Sequence, residues 1–244
     1  MESAIVLTGG GIKSAVAAAC VAKTHRITLL HVNFGQRAAE VELDAIRRLV
    51  EGTQDLQVVH VDMNYPLQLQ QQIAGTFGVE QQLENGAGLV GSTVLDGAGL
   101  SGTWGSLVWA GAQAAVRKGA RRLVSGLSGV EGAVHLGLPS TEAGIPGLQA
   151  LAYDLNACIR FFCGSTFDIE LDLPLLHRSY TEVIKLGVHL GVDFERTWTC
   201  VSPPTSRGRL RGCDRCVSCR TRTKAFADAR FTDPFDLVGQ RARV

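Results

Sequence analysis

The chain has almost no net charge: 24 Lys and Arg stand against 23 Asp and Glu, a formal +1 over 244 residues. That balance excludes a global attraction to nucleic acid or to an anionic membrane, and leaves only local patches for such partners. No apolar run approaches the roughly 18–20 residues a membrane helix needs. The short run Ile5–Leu7 is too small for the apolar core of a signal peptide. Aromatic residues make up only 6% of the chain, and none interleaves with the basic residues as in single-strand binders. Glycine is abundant, at 28 residues, but has no collagen-like period. With 45% hydrophobic residues the chain is too apolar to be disordered. It is long enough to bury a full core in about one to two domains. The composition predicts a soluble, cytoplasmic, globular chain.

Cysteine is the informative residue. Of seven, four (Cys200, Cys213, Cys216 and Cys219) fall close together near the end. A secreted disulfide scaffold spreads its cysteines through a shorter chain, so the cluster reads as thiolate metal ligands. In Cys200-x12-Cys213-x2-Cys216-x2-Cys219, each C-x2-C turn aims two sulfurs at one ion. Cys216 is shared by both knuckles, and Cys200 clamps the tail to the chain before it. Four thiolates make a closed tetrahedral set, which favours structural zinc over Lewis-acid catalysis. Cys20, Cys158 and Cys163 sit in apolar helical contexts and are expected to be buried small hydrophobes.

The first 60 residues alternate between strand and helix patterns. Ala4–Thr8, Ile27–Asn33 and Leu56–Val61 read as strands, Ile12–Lys23 and Arg37–Glu51 as helices. Gln68–Ala74 suggests a short helix, and Asn85–Gly102 a glycine-rich loop. Further on, Trp104–Lys118, Leu148–Cys163 and Tyr180–Leu190 have helical patterns, and Arg121–Ser125 and Thr166–Leu173 strand patterns. This order predicts an α/β fold with a parallel five-stranded sheet and helices on both faces. Residues 1–197 would form the α/β domain and 198–244 a zinc-binding tail packed on it, ending in a helix Val217–Ala229. Ligands in such sheets bind beyond the carboxyl ends of the strands. The glycine-rich segments after the first and fourth strands therefore mark the candidate site.

After the first strand runs Thr8-Gly9-Gly10-Gly11-Ile12-Lys13-Ser14-Ala15. Glycines let a ligand approach the backbone, and free amides at a helix start attract anions. The spacing is not that of a Walker A loop, and a plain tight turn would look similar. The basic run Arg207, Arg209, Arg211, Arg215, Arg220, Arg222 and Lys224 is either a phosphate or nucleic-acid patch or a solvated face. His31, His60, His135, His177 and His189 belong to no motif and are expected to be structural or solvent-facing. His135, in the glycine-rich loop, is the one of most functional interest. Trp104 and Trp109 share a helix and are expected in the core, with base stacking an alternative for Trp104.

The tail Thr197-Trp198-Thr199-Cys200, with Cys213-Asp214-Arg215-Cys216-Val217-Ser218-Cys219-Arg220 and Lys224-Ala225-Phe226, resembles that of the 7-cyano-7-deazaguanine synthase family. Gly35-Gln36-Arg37 with Glu40, Gly119-Ala120, and Glu182-Val183-Ile184 with Gly187, Gly191 and Val192 extend the resemblance over nearly the whole chain. It implies an adenine-nucleotide hydrolase-like, PP-loop ATP pyrophosphatase fold, usually homodimeric. The implied reaction activates the carboxylate of 7-carboxy-7-deazaguanine with ATP and Mg²⁺, after which ammonia displaces AMP. It also implies that Thr8–Ala15, Gln36 and Arg37 hold the nucleotide and that Lys13 and Ser14 serve catalysis.

The departures from the family fall on the pocket. The family loop S-G-G-x-D-S reads Gly9-Gly10-Gly11-Ile12-Lys13-Ser14 here, so Gly9 replaces its serine and Lys13 its aspartate. Thr103-Trp104 stand for Arg-Asn, Tyr180 for a lysine, and Glu131–Pro139 lack the Tyr-Pro-Asp-Cys stretch. Losing the aspartate removes a carboxylate that helps hold Mg²⁺ and adds a cation attractive to phosphate. The leading expectation is an ATP-dependent ligase acting on a small carboxylate. A degenerate member that binds nucleotide, deazapurine or a protein partner without turnover is the alternative, and nucleic-acid binding is the weakest reading.

Overall fold

The computed structural model describes residues 1–33, 36–50, 56–62, 100–129, 144–163, 168–203 and 212–235. Along the chain come β1 (Glu2–Leu7), α1 (Ile12–Ala22), β2 (His25–Asn33), α2 (Ala39–Val50) and β3 (Leu56–Asp62). They are followed by α3 (Leu100–Lys118), β4 (Arg122–Val124), α4 (Gly144–Cys163), β5 (Glu170–Asp172), α5 (Tyr180–His189), a 3-10 turn Phe194–Arg196 and α6 (Val217–Ala229). Every strand pair is parallel, in the order β3-β2-β1-β4-β5. The order reverses where β1 lies beside both β2 and β4. Neighbouring crossovers leave in opposite directions there and open a crevice at the carboxyl ends.

Period-two alternation sorts the strand residues between two cores. Ala4, Val6, Ile27 and Leu29 pack on one face against Val16 of α1, Val183 and Ile184 of α5, and Phe226 of α6. Ile5, Leu30 and Val32 pack on the other, with Val108 of α3 and Ile159 of α4. Near-continuous apolar strands are what a sheet covered on both sides requires. The tail helix α6 thus shares a core with the sheet. Among the described residues, no helix is long and apolar enough to cross a membrane.

Helix ends follow local chemistry. Ser179 caps α5 in a reciprocal box with Glu182, and the Ser179 amide and hydroxyl hold the Glu182 carboxyl below its ordinary range. Acidic Glu40 and Glu42 open α2, and basic Arg47 and Arg48 close it. In contrast, α1 begins at Gly11 with no side-chain cap and no acidic residue in its first turn.

Several expectations need correction. Residues 100–102 belong to α3 rather than to a loop, and α4 begins at Gly144, four residues earlier than its apolar pattern. Trp109 is exposed and meets Phe162 edge to face, whereas Trp104 is buried. Five residues along a helix is a rotation of about 140°, so the two indoles cannot share one face. Cys158 is exposed and Cys20 and Cys163 are only half-buried. On α4 the buried face runs through Ala152 and Ile159, and Cys158 lies off it. The segments Gln68–Ala74, Glu131–Pro139 and Arg207–Arg211 lie outside the described residues.

The basic run also divides. Arg215 and Arg220 are exposed, and Lys224 pairs with Asp228 on the surface. Arg222 is 4% exposed and makes a bidentate pair with buried Asp233, Nε to Oδ2 at 2.6 Å and Nη2 to Oδ1 at 2.8 Å. Its other donors reach the Phe194 carbonyl (3.1 Å), Thr197 Oγ1 (3.0 Å) and Thr199 Oγ1 (3.1 Å). The guanidinium lies against the rings of Phe226 and Phe235. All five of its N–H groups are used, so removing one partner strands a buried charge. Asp233→Ala is expected to lower stability by about 3–5 kcal/mol, read as a fall in the urea midpoint with an unchanged m-value.

Candidate functional site

The turn after β1 is built from its own side chains. The Thr8 amide donates to the Leu30 carbonyl (2.9 Å), extending the sheet by one bond. Thr8 Oγ1 accepts the Gly10 amide at 3.0 Å, and Ser14 Oγ donates to the Gly11 carbonyl at 3.0 Å. Thr8 and Ser14 hydroxyls are themselves 3.0 Å apart. Since the Ser14 proton is committed to Gly11, Thr8 is the donor in that pair. Gly10 has φ +70°, and a Cβ there would lie 2.8 Å from the Glu42 carbonyl oxygen. Only glycine meets both conditions. From the far side of the crevice, Gly126 comes so close that its Cβ would lie 2.8 Å from the Lys13 carbonyl and the Ser14 amide. The tail completes the frame, with the Trp198 amide donating to the Gly10 carbonyl at 2.8 Å.

Three cavities touch this turn, and two of them share Gly9 and Ser125 as walls. The larger, about 540 Å³, lies between the turn and the tail. Lys13 and Ser14 of α1, Tyr180 of α5, Trp198 and Thr199 of the tail and Ser218 of α6 line it. Lys13 Nζ stands 4.8 Å from the centre of the Tyr180 ring. Among the described residues, no Asp or Glu lines this cavity. Mg²⁺ takes oxygen ligands, with carboxylates foremost. A lysine and neutral hydroxyls do not fit a Mg²⁺ ion held by the turn.

The smaller cavity, about 220 Å³, lies between the ends of β1 and β2 and α3. Leu30, Val32 and Leu107 give it apolar walls, with Trp104 donating through Nε1 to Ser125 Oγ at 3.3 Å. Gln36 donates to Glu42 Oε2 at 2.8 Å and to the Val32 carbonyl at 3.2 Å. Burial pushes the Glu42 carboxyl above its ordinary range, partly offset by the Gln36 bond. His31 is 1% exposed and contacts the Thr8 carbonyl through Nδ1 at 3.2 Å, so Nδ1 carries a proton. Its Nε2 faces Glu42 Oε2 at 4.0 Å.

In the tail, the four sulfurs of Cys200, Cys213, Cys216 and Cys219 lie within 4.8 Å of one another. Backbone amides of Cys213, Cys216 and Cys219 donate to the sulfurs of Cys200, Cys213 and Cys216 at 3.3, 3.3 and 3.4 Å. The second knuckle doubles as the start of α6, with Cys216 as its cap residue. Bonding to the Cys219 thiol lowers the Cys200 pKa to about 5, while the Cys219 thiol itself is driven upward. Such amide–sulfur bonds stabilise thiolate charge, and the cluster could hold one metal ion.

The structure therefore gathers Thr8, Gly9, Gly10, Gly11, Lys13 and Ser14 at one place and adds Gln36 through Glu42. Ile12 is a core residue that touches the larger cavity, Ala15 lines with Thr8 and Ser14 a third cavity between α1, β2 and the segment after α5, and Arg37 is exposed and lines none of them. His135 lies outside the described residues. His31, Glu42 and Ser125 were not singled out as site residues by sequence reasoning. A signal existed for His31: pairing β1 with β2 puts Leu7 opposite Leu30, so the next residues, Thr8 and His31, meet at the strand ends.

The chain is similar to known proteins over most of its length. The family model for queuosine biosynthesis protein QueC matches residues 3–91 and 148–230. A 7-cyano-7-deazaguanine synthase from Chlorobium phaeobacteroides is 28% identical over 236 residues, covering 96% of each chain. Another from Chlorobaculum parvum is 28% identical over 246 residues, covering 96% of this chain and 95% of the other. Among solved structures, a U34-tRNA thiolase NcsA from Methanococcus maripaludis with its [4Fe-4S] cluster aligns at a TM-score of 0.46 and 12% identity. It covers 93% of this chain and 64% of that one.

Two outcomes follow for the site as built. Cys213→Ser is expected to abolish metal retention, measured as metal per chain by mass spectrometry, and to lower the melting temperature because binding is coupled to folding. The raised carboxyl of Glu42 means the native state holds a proton that the unfolded chain releases. Its stability contribution is full in acid and fades as pH rises through the raised value. Glu42→Gln should therefore gain stability over the parent at about pH 8 and not at about pH 4, as read by urea melts.

Proposed function

The chain belongs to the family of queuosine biosynthesis protein QueC, and from that membership we propose that it is an ATP-dependent ligase of the 7-cyano-7-deazaguanine synthase type. In this reading it activates a carboxylate, 7-carboxy-7-deazaguanine or a related acid, as an acyl-adenylate. Ammonia or another amine then displaces AMP. The observation that carries the reading is the pair of cavities meeting at Gly9 and Ser125. The smaller has apolar walls, an indole and an amide, suited to a nucleoside base. The larger takes the acid. The phosphates lie between them, over the uncapped start of α1.

The acid's oxygen attacks the α-phosphorus, the bond to the bridging oxygen breaks, and pyrophosphate leaves. Lys13 and the first amides of α1 face the charge that develops on the leaving group. The amine nitrogen then attacks the acyl carbon and the carbon–oxygen bond to AMP breaks. Rate enhancement comes chiefly from holding the acyl-adenylate beside its nucleophile, away from water. The four cysteines hold structural zinc, which fixes the segment carrying Trp198 against the turn. The reading also carries a homodimer, with ATP and a small acid as ligands.

A non-turnover reading is favoured by one observation, the lysine in place of the loop aspartate. AMP release measured with ATP, ammonia and 7-carboxy-7-deazaguanine separates the two. Acid-dependent AMP is expected, reduced about a hundredfold in Lys13→Met. Nucleotide binding with no AMP release from any acid tried would leave only the binding module.

A further inference from the structure

The larger cavity has an unusual charge inventory for one that borders a phosphate site. Lys13 is its only charged wall among the described residues, and the remaining polar side chains are hydroxyls and the Trp198 indole. Helix α1 begins at its edge with no acidic residue in its first turn and no side-chain cap, so that end presents partial positive charge. The start of α6, whose Val217 and Ser218 line the opposite wall, is capped by the Cys216 sulfur.

Glu42 and Asp193, which share cavities with the turn, are turned to other tasks. Glu42 approaches Gly9 but opens on the smaller cavity and accepts from Gln36. Asp193 caps the 3-10 turn and pairs with Arg196 at 2.9 Å. Phosphate charge can be balanced by a divalent ion held on carboxylates or by a fixed side-chain cation. Among the described residues of this cavity only the second is present. We infer that Lys13 is the permanent counter-charge of this site, so that the chain binds nucleotide or pyrophosphate without needing a divalent cation.

The inference rests on the reading that the turn holds nucleotide phosphates, and it has a consequence that reading lacks. Mg²⁺ masks half the charge of the ATP tail, and a site built around a lysine gains nothing from that masking. The Tyr180 ring lies 4.8 Å from the ammonium, an attractive contact that holds the cation at this wall.

The test is calorimetric titration of the metal-loaded chain with ATP and, separately, with pyrophosphate, each in EDTA and in Mg²⁺ buffered so that the cysteine-bound ion is retained. Binding in EDTA within about twofold of that in Mg²⁺ is expected for the parent, and loss of binding in both for Lys13→Met. Lys13→Asp should restore binding only with Mg²⁺, strengthened about tenfold or more over EDTA. Circular dichroism melts and metal content serve as controls that the variants fold. Tight binding by the parent only with Mg²⁺ overturns this inference and leaves the ligase reading standing. No binding by the parent in either buffer overturns both.

Discussion

The buried guanidinium of Arg222 determines where the tail can sit, and through the tail it determines the shape of the site. Its donors hold the 3-10 turn at Phe194, the extended segment at Thr197 and Thr199, and the chain beyond α6 at Asp233. That segment continues through Trp198, whose amide bonds the Gly10 carbonyl, into Cys200, a member of the sulfur cluster. One charged group thus ties the four-cysteine cluster to the glycine turn. A buried ion pair is a poor source of stability compared with apolar packing of equal volume. Its value here is geometric, because a planar fork with five directed donors permits one arrangement of the three segments it joins.

The backbone around Lys13 is held fixed on three sides. Gly10, Gly126 and the Trp198 amide leave the turn no room to move. A change at position 13 must therefore be absorbed by side chains. Lys13 finds the Tyr180 ring across the cavity. Beside it, the smaller cavity buries a carboxyl and an imidazole together, which raises the carboxyl's proton affinity and holds Gln36 in place.

Much of this was legible along the chain. Strand–helix alternation, the cysteine spacing and the glycine turn are local patterns, each set by residues within a few positions of one another. The pairing of the two glycine-rich segments also followed, from the rule that parallel sheets bind at their carboxyl ends. The errors have equally local causes. An apolar helix context does not say which side of the helix a residue occupies, which is why Trp109 and Cys158 lie outside the core. Six arginines in a short run look alike by composition, yet Arg222 is buried while Arg215 and Arg220 are exposed.

The fold class, the strand-to-helix turn at Gly9–Ser14 and the candidate four-cysteine cluster are written along the chain, because hydrophobic period and cysteine spacing are short-range properties. Tertiary structure alone decided that Lys13 meets Tyr180, that Glu42 reaches Gly9 and His31, and that no described carboxylate lines the larger cavity. Those facts depend on which strand ends and helix starts come together in space. That juxtaposition is set by sheet order and by the clamp at Arg222, and it is invisible in the neighbourhood of any single residue.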